Sequence, residues 1–274
     1  MFRRLALAML LAASSLGATE RLPWFGNDLE FELRSDLTLR WYDRIMTDSG
    51  KEEFCSFDTV QHISLAFVPQ PEWSLEVEGN FASSKSRSWG IDSIAATGRY
   101  LWLDDVLGDP ISLATGTTLS IITEEGRKDL SIPHHGTVEL ETHIAIGKEI
   151  PCDEYWNWRF WQIFGLAQGN KGSPRWRSET GVGWNLEDQH RIDFKLRWLY
   201  GSGNNDLSYS YLMSSGFDGY QDVHHKSTDL CWTYYWTMGY CGSIYVDYTY
   251  RLSSFNNPYD QHSVMMGYYY PFGL

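Results

Sequence analysis

Residues 29–41 read Leu-Glu-Phe-Glu-Leu-Arg-Ser-Asp-Leu-Thr-Leu-Arg-Trp, and this stretch decides the fold. Apolar side chains stand at every second position except Ser35, and polar or charged side chains stand between them. A period of two places the two sets on opposite faces of a β-strand, whereas a helix would mix them on one side. The run is also longer than the five or six residues usual for strands of soluble proteins, which indicates an unusually long strand.

The same alternation recurs along the chain and predicts twelve antiparallel strands. We expect them at 29–42, 57–68, 72–83, 91–103, 111–123, 136–149, 155–167, 175–186, 190–200, 224–236, 240–252 and 261–272. One set of connections is on average longer and rich in Gly, Ser, Asn and charge: 43–56, 84–90, 124–135, 168–174, 201–223 and 253–260. The other set is short. An even strand number, with long loops at one end and short turns at the other, is typical of a single closed antiparallel transmembrane β-barrel.

Composition agrees with an all-β barrel of this kind. Aromatic residues make up 16% of the chain, and the predicted strands place them near both ends, as in the two interfacial girdles of membrane barrels. Trp73, Trp102 and Trp156 would belong to one girdle, and Trp41 and Trp198 to the other. The mean hydropathy of -0.37 is too low for a helical membrane bundle but suits strands that show lipid every second residue. The net charge of -13, without a basic cluster, gives no indication of nucleic-acid binding.

The first residues have the features of an export signal. Met1-Phe2-Arg3-Arg4 is followed by an apolar run from Leu5 to Leu16 and then by Gly17-Ala18. A basic start, a short apolar core and small residues before a cleavage site predict a signal peptide at 1–18, with the barrel domain at 19–274. The expected location is the cell outer membrane of a Gram-negative-type bacterium.

The end of the chain carries a resemblance to a known class. Apolar or aromatic residues fill every second position up to the last residue: Val264, Met266, Tyr268, Tyr270, Phe272 and Leu274. This resembles the C-terminal strand of bacterial outer-membrane β-barrel proteins, which usually ends in Phe rather than Leu. The resemblance implies insertion by the barrel-assembly machinery and contact with outer-membrane lipid.

Charged residues that alternate with the apolar ones are expected to face the barrel interior. The candidate solute-binding residues are Glu32, Arg34, Asp36, Arg40, Glu76, Glu78, Glu139, Glu141, Arg177, Glu179, Asp193, Lys195 and Arg197. Acidic residues concentrate on the strands at 29–42, 72–83 and 136–149, and basic residues on those at 175–186 and 190–200. Opposed charged stripes create a transverse field that suits small polar or charged solutes, which predicts a porin-like passive channel.

Two other function classes stay open. The interior charges could pair and plug a structural barrel whose loops at 43–56, 124–135 and 201–223 contact other molecules. An outer-membrane hydrolase is the third class. Ser86-Arg87-Ser88-Trp89 resembles a stretch of outer-membrane phospholipase A, but that family's preceding His-x-Ser-Asn-Gly segment is replaced by residues 77–81, and His62-x-Ser64 stands on an earlier strand. No catalytic set, cofactor or metal is therefore expected.

Histidines and cysteines leave two further questions. His134-His135 and His224-His225 are expected in or beside the longer loops, where solvated side chains or a metal site would both fit. Of the four cysteines, Cys231 and Cys241 lie near each other on consecutive predicted strands, so they are the candidates for a disulfide, with free thiols as the alternative. A closed barrel pairs all its strand edges, so the alternation pattern predicts no particular oligomeric state.

Overall fold

The computed structural model describes residues 21–152, 155–208 and 217–273. The expected signal peptide at 1–18 and the terminal Leu274 lie outside these residues. The strands are β1 (Glu30–Thr47), β2 (Gly50–Gln70), β3 (Trp73–Ser84), β4 (Arg87–Leu103), β5 (Ser112–Ile122), β6 (Val138–Cys152), β7 (Tyr155–Gly169), β8 (Arg175–Leu186), β9 (His190–Ser202), β10 (His224–Thr237), β11 (Ser243–Phe255), β12 (Asn257–Tyr259) and β13 (His262–Gly273). A four-residue helix α1 (Glu124–Arg127) and a 3-10 turn (Gly239–Cys241) complete the elements.

All strands but β12 form one closed antiparallel barrel. Sequential strands pair along the chain, and β1 closes the sheet by pairing with both β2 and β13. The β1–β13 register runs from Glu30 opposite Gly273 to Trp41 opposite His262. The predicted twelve-stranded barrel is thus confirmed, and closure pairs both edges of the sheet with each other.

The outer surface of the barrel is apolar. Exposed side chains from the middle of the strands include Val77, Ile94, Leu140, Phe194 and Leu230. Tryptophans lie towards both ends of this band: Trp73, Trp102, Trp158, Trp184 and Trp236 at one, and Trp41, Trp89, Trp176 and Trp198 at the other. A continuous exposed apolar belt bordered by aromatic rings is what a barrel presents to a lipid bilayer. No helix among the residues that the structure covers is long and apolar enough to cross a membrane.

The two ends of the barrel differ, although less than the sequence predicts. We call the end where β1 begins and β13 ends the terminal end, and the opposite one the loop end. Two loop-end connections are long, at 123–137 and 203–223. The predicted loops at 43–56 and 84–90 are wrong, because the strands continue to two-residue turns at 48–49 and 85–86. The strand β12, inside the predicted loop 253–260, pairs with Arg44–Met46 and supports this extension.

The hairpin of β1 and β2 is longer than the alternation of its residues predicts, and the reason is a β-bulge. A bulge between Tyr42 and Arg44 shifts the alternation of β1, so the inward positions become Ile45 and Thr47. Tyr42, Ile45 and Phe54 then bury their side chains in an apolar cluster at the loop end. Their burial stabilises strand pairing beyond the lipid-facing band.

Candidate functional site in the barrel interior

Inward-pointing side chains form two walls of opposite charge. One wall is acidic and comprises Asp36 of β1, Glu76 and Glu78 of β3, and Glu139 and Glu141 of β6, all buried. The other is basic and comprises Arg175 and Arg177 of β8 with Lys195 and Arg197 of β9. Period-two alternation aligns each set along its strands, and these walls border the cavities described below.

A histidine fixes part of the acidic wall. His62 of β2 is 1% exposed, with Nδ1 3.2 Å from Asp36 Oδ2 and Nε2 3.2 Å from Glu78 Oε2. The Tyr245 hydroxyl donates to the same Asp36 oxygen at 2.6 Å. The network joins β1, β2, β3 and β11, which makes this part of the interior a preorganised polar surface.

Ion pairs hold most of the basic wall in place. Arg197 Nε lies 2.7 Å from Glu179 Oε2, and Arg177 Nε lies 2.8 Å from Glu141 Oε1. Behind them, Arg251 contacts Asp229 through two nitrogens, at 2.7 and 3.1 Å. The hydrogen bond of Arg197 and the bidentate pair of Arg251 fix the orientation of these two guanidinium groups.

A chain segment from the terminal end lies inside the barrel. Residues 21–26 precede β1 and turn back into the interior, where Leu22 packs with Ala145, Trp161 and Ile163. Arg21 forms a buried ion pair with Glu141. The Trp24 Nε1 donates to Asp105 Oδ1 at 2.9 Å. We call residues 21–26 the inserted segment; nothing in its composition predicted this position.

A glycine makes room for the inserted segment. A Cβ at Gly147 of β6 would lie 2.6 Å from the Trp24 ring and 2.7 Å from Pro23. Any side chain there would displace the segment. The barrel wall is therefore shaped to receive it.

At the loop end, the connection 123–137 folds inward rather than away from the barrel. Arg40 Nη1 donates to the Ser131 carbonyl at 2.7 Å, and the Tyr220 hydroxyl donates to the Leu130 carbonyl at 2.8 Å. Leu130 and Tyr220 belong to the loop-end apolar cluster. We call residues 123–137 the cap. Its placement corrects the expectation that 124–135 forms a free interaction loop, because its apolar residues bury against β1 and β2.

Several cavities lie between the described residues of these elements, and three of them border the charged walls. A cavity of about 620 Å³ at the terminal end is lined by charged and aromatic groups including Glu32, Arg99 and Tyr269. A central cavity of about 230 Å³ lies between Arg21 and Leu22 on one side and Pro133 of the cap on the other. A second one of about 230 Å³ borders Glu78, Glu139 and Glu141. Leu22 lines both the terminal-end and the central cavity, so the inserted segment separates them.

The candidate binding residues fall into four places. Around the central and acidic cavities the structure brings together Glu78, Glu139, Glu141, Arg177, Glu179, Asp193, Lys195 and Arg197. Glu32, Arg34 and Glu76 line the terminal-end cavity, Asp36 lies in the His62 network, and Arg40 is engaged with the cap.

Sequence reasoning missed several interior residues, among them four that line the central cavity. Arg251 and Asp229 follow the alternation of β10 and β11, so that signal could have found them. Trp161 also occupies an inward position, on β7, while Arg21 gave no signal at all. The expected girdle residue Trp156 is instead inside, 4.3 Å from the Arg159 guanidinium, because a bulge after Ile150 changes the register of β6 and β7.

In each histidine pair the second residue is buried and the first is half-buried rather than solvated. His134 Nε2 lies 3.1 Å from Asp92 Oδ2, and the His135 and His225 rings are 5.0 Å apart. Burial lowers the pKa of His134, but Asp92 more than offsets this, so its pKa is raised overall. Burial, and then Arg175, lowers the pKa of His135 to about 4. Across the described ranges, no group of three or more His, Cys, Asp or Glu could hold a metal ion.

The candidate Cys231–Cys241 disulfide is not formed, and the alternative of free thiols holds for both residues. Both residues are free thiols, Cys231 buried and Cys241 exposed. Cys231 lies opposite Thr249 in the middle of β10, whereas Cys241 lies in the turn after Thr237. Six residues of extended strand separate Thr237 from Cys231, about 20 Å at the usual rise, which is far beyond the reach of a disulfide.

The His62-x-Ser64 spacing does not form a lipid-facing hydrolytic site. Both side chains are buried inside the barrel, at 1% and 2% exposure, and both His62 nitrogens face carboxylates. A nucleophile for membrane lipid would need to reach the outer surface.

Comparison with known proteins supports the fold alone. No protein-family model matches the chain, and no curated protein matches it in sequence. An outer membrane channel from Pseudomonas putida F1 is similar in structure, with a TM-score of 0.69 and 10% identity over 93% of this chain and 100% of that one. The NanC porin gives a TM-score of 0.51 and 11% identity over 85% and 98%. The translocator domain of the autotransporter NalP from Neisseria meningitidis gives 0.51 and 11% over 98% and 93%. The chain therefore has the fold of outer-membrane β-barrel proteins.

Proposed function

We propose that this protein is a gated, porin-like passive channel for small polar or charged solutes in the outer membrane. The observation that carries the proposal is the interior, which holds separate cavities between acidic and basic walls instead of one packed apolar core. A purely structural barrel could fill its interior with apolar side chains at no loss of stability, since even a paired buried ion pays a desolvation cost. Charged walls around open space suit solutes that exchange their hydration for protein contacts.

Two chain segments would act as gates. The inserted segment separates the terminal-end and central cavities, and the cap covers the central cavity from the loop end. Both are held by side-chain contacts rather than by strand pairing, the inserted segment through Arg21 and Leu22 and the cap through His134 and its buried apolar residues. Opening either segment would therefore leave the strand pairing of the wall intact.

The similar structures support the proposal within limits. Two of them are described as an outer membrane channel and a porin, and the third as a translocator domain. Since one fold serves several functions, the interior of this chain has to carry the argument.

A liposome-swelling assay tests the proposal. The refolded chain, starting at Thr19 after the expected cleavage site, is inserted into liposomes and exposed to neutral polar solutes of increasing size. We expect small solutes to enter and large ones to be excluded, with faster entry for Arg21→Ala, which releases the inserted segment. A correctly folded protein that admits no solute, with or without that substitution, would contradict the channel and favour a structural barrel.

A further inference from the structure

The central cavity contains one cation without an ionic partner. Lys195 is 5% exposed and lines the cavity. Throughout the described part of the chain, no carboxylate lies within salt-bridge distance of its ammonium group and no hydrogen-bond acceptor faces it. An ammonium buried in this way is costly unless it meets an anion or ordered solvent.

The surrounding charges leave this position positive. Arg197 and Arg251 are each paired with one carboxylate, Glu179 and Asp229 respectively. Asp193 is engaged by Arg191 at 2.6 Å, so it does not neutralise Lys195. Five cationic and three acidic side chains line the cavity in total. The excess of positive charge selects for an anion.

Most of the remaining wall is apolar. It comprises Leu22, Pro133, Trp161, Ile163, Trp198 and Leu199, and Ser178 and Ser227 complete the lining. Trp161 is anchored by its indole N–H, which donates to Glu179 Oε1 at 3.0 Å. At about 230 Å³ the cavity exceeds the roughly 150 Å³ that holds a benzene molecule in an engineered protein. A ligand here needs a charged group and a short apolar body.

We propose that the central cavity is a binding site for a small organic carboxylate, with Lys195 as the group that receives the anionic end. Arg177 and Arg197 flank the same site and strengthen the positive field, while Trp161 and Ile163 contact the apolar body. This inference rests on the proposed channel function, because the carboxylate would be a solute that binds transiently on its way through the lumen.

Access to the site follows from its neighbours. Leu22 lines both the central and the terminal-end cavity, so a shift of residues 21–22 would connect them. Arg21 holds this position through Glu141, outside the proposed anion contacts. Binding and passage are therefore separable in experiment.

Isothermal titration calorimetry of the refolded protein in detergent tests the site. The probes are butyrate, neutral butyramide and cationic butylammonium, which share an apolar body and differ in charge. We expect butyrate alone to bind, Lys195→Met to weaken its binding at least tenfold, and Lys195→Arg to retain it. Lys171→Met, in an exposed turn, is the matched control and should bind like the unmodified protein.

Each outcome decides one claim. Equal binding of butyrate and butyramide, or an affinity unchanged by Lys195→Met, would overturn the anion site even if the barrel admits solutes. Selective butyrate binding by a protein that admits no solute would leave the site standing and remove the channel. Folding of each variant is checked by its circular dichroism, and Lys195→Arg keeps the test decisive if Lys195→Met fails to fold.

Discussion

Arg21→Ala should open the channel by weakening the hold of the inserted segment. Arg21 is 6% exposed, and its ion pair with Glu141 lies beside Leu22, which separates two cavities. Removing the guanidinium leaves Leu22 held by its packing against Trp161 and Ile163.

The free energy lost from the closed state depends on the ion pair that Glu141 still forms after Arg21 is removed. Breaking a buried ion pair usually costs about 3–5 kcal/mol, because one charge is left alone. Here Glu141 retains Arg177 at 2.8 Å, so the loss approaches that of one charge-assisted hydrogen bond, about 1.5–3 kcal/mol. Because each 1.4 kcal/mol changes an equilibrium constant tenfold, the ratio of open to closed channels should rise roughly 10- to 150-fold.

Single-channel recording in a planar lipid bilayer measures this ratio directly. The matched control is Arg44→Ala, which removes an exposed arginine whose contact with Asp260 is 3.8 Å long. We expect longer open times for Arg21→Ala and no change for Arg44→Ala. Open probabilities that agree among all three proteins would refute the idea that the inserted segment is a gate.

Two further predictions concern the cap and the thiols. The raised pKa of His134 means that its pairing with Asp92 stabilises the cap fully below the ordinary pKa of about 6.5 and less as pH rises through the raised value. Amide hydrogen exchange at 129–136, corrected for intrinsic rates, should thus quicken above pH ~6.5. His134→Gln should abolish this pH dependence. Exchange rates in the wild-type cap that do not change with pH would contradict the role of the His134–Asp92 pair. In a Cys152→Ser background, a maleimide should label Cys55 and Cys241 in the folded barrel but label Cys231 only after unfolding; rapid labelling of Cys231 would show that its position in the wall is wrong.

Strand periodicity predicted the barrel because each strand has to satisfy two solvents at once. Lipid outside and a polar interior impose alternation on residues such as Leu75, Glu76, Val77 and Glu78, and a single sequence displays this signal directly. The same alternation identified inward charges on β8 and β9. It failed where a bulge shifts the register, as at Tyr42 and after Ile150.

The contents of the barrel were less predictable than its wall. The inserted segment and the cap are held by contacts between residues far apart in sequence, such as Arg21 with Glu141 and Tyr220 with Leu130. No local pattern encodes such contacts. The unpaired state of Lys195 is equally non-local, because it depends on which carboxylates the neighbouring arginines already engage.

Ion selectivity of the open channel tests the central claim most directly, namely that solutes pass between the charged walls. The variant carrying Lys195→Glu and Arg197→Glu is compared with the unmodified chain and with an exposed control pair, Arg44→Glu and Lys51→Glu, in bilayers under a salt gradient. We predict steady conductance whose reversal potential shifts towards cations only in the interior variant. A conductance with the same selectivity in all three proteins would contradict the claim, since ions would then be passing outside the proposed lumen.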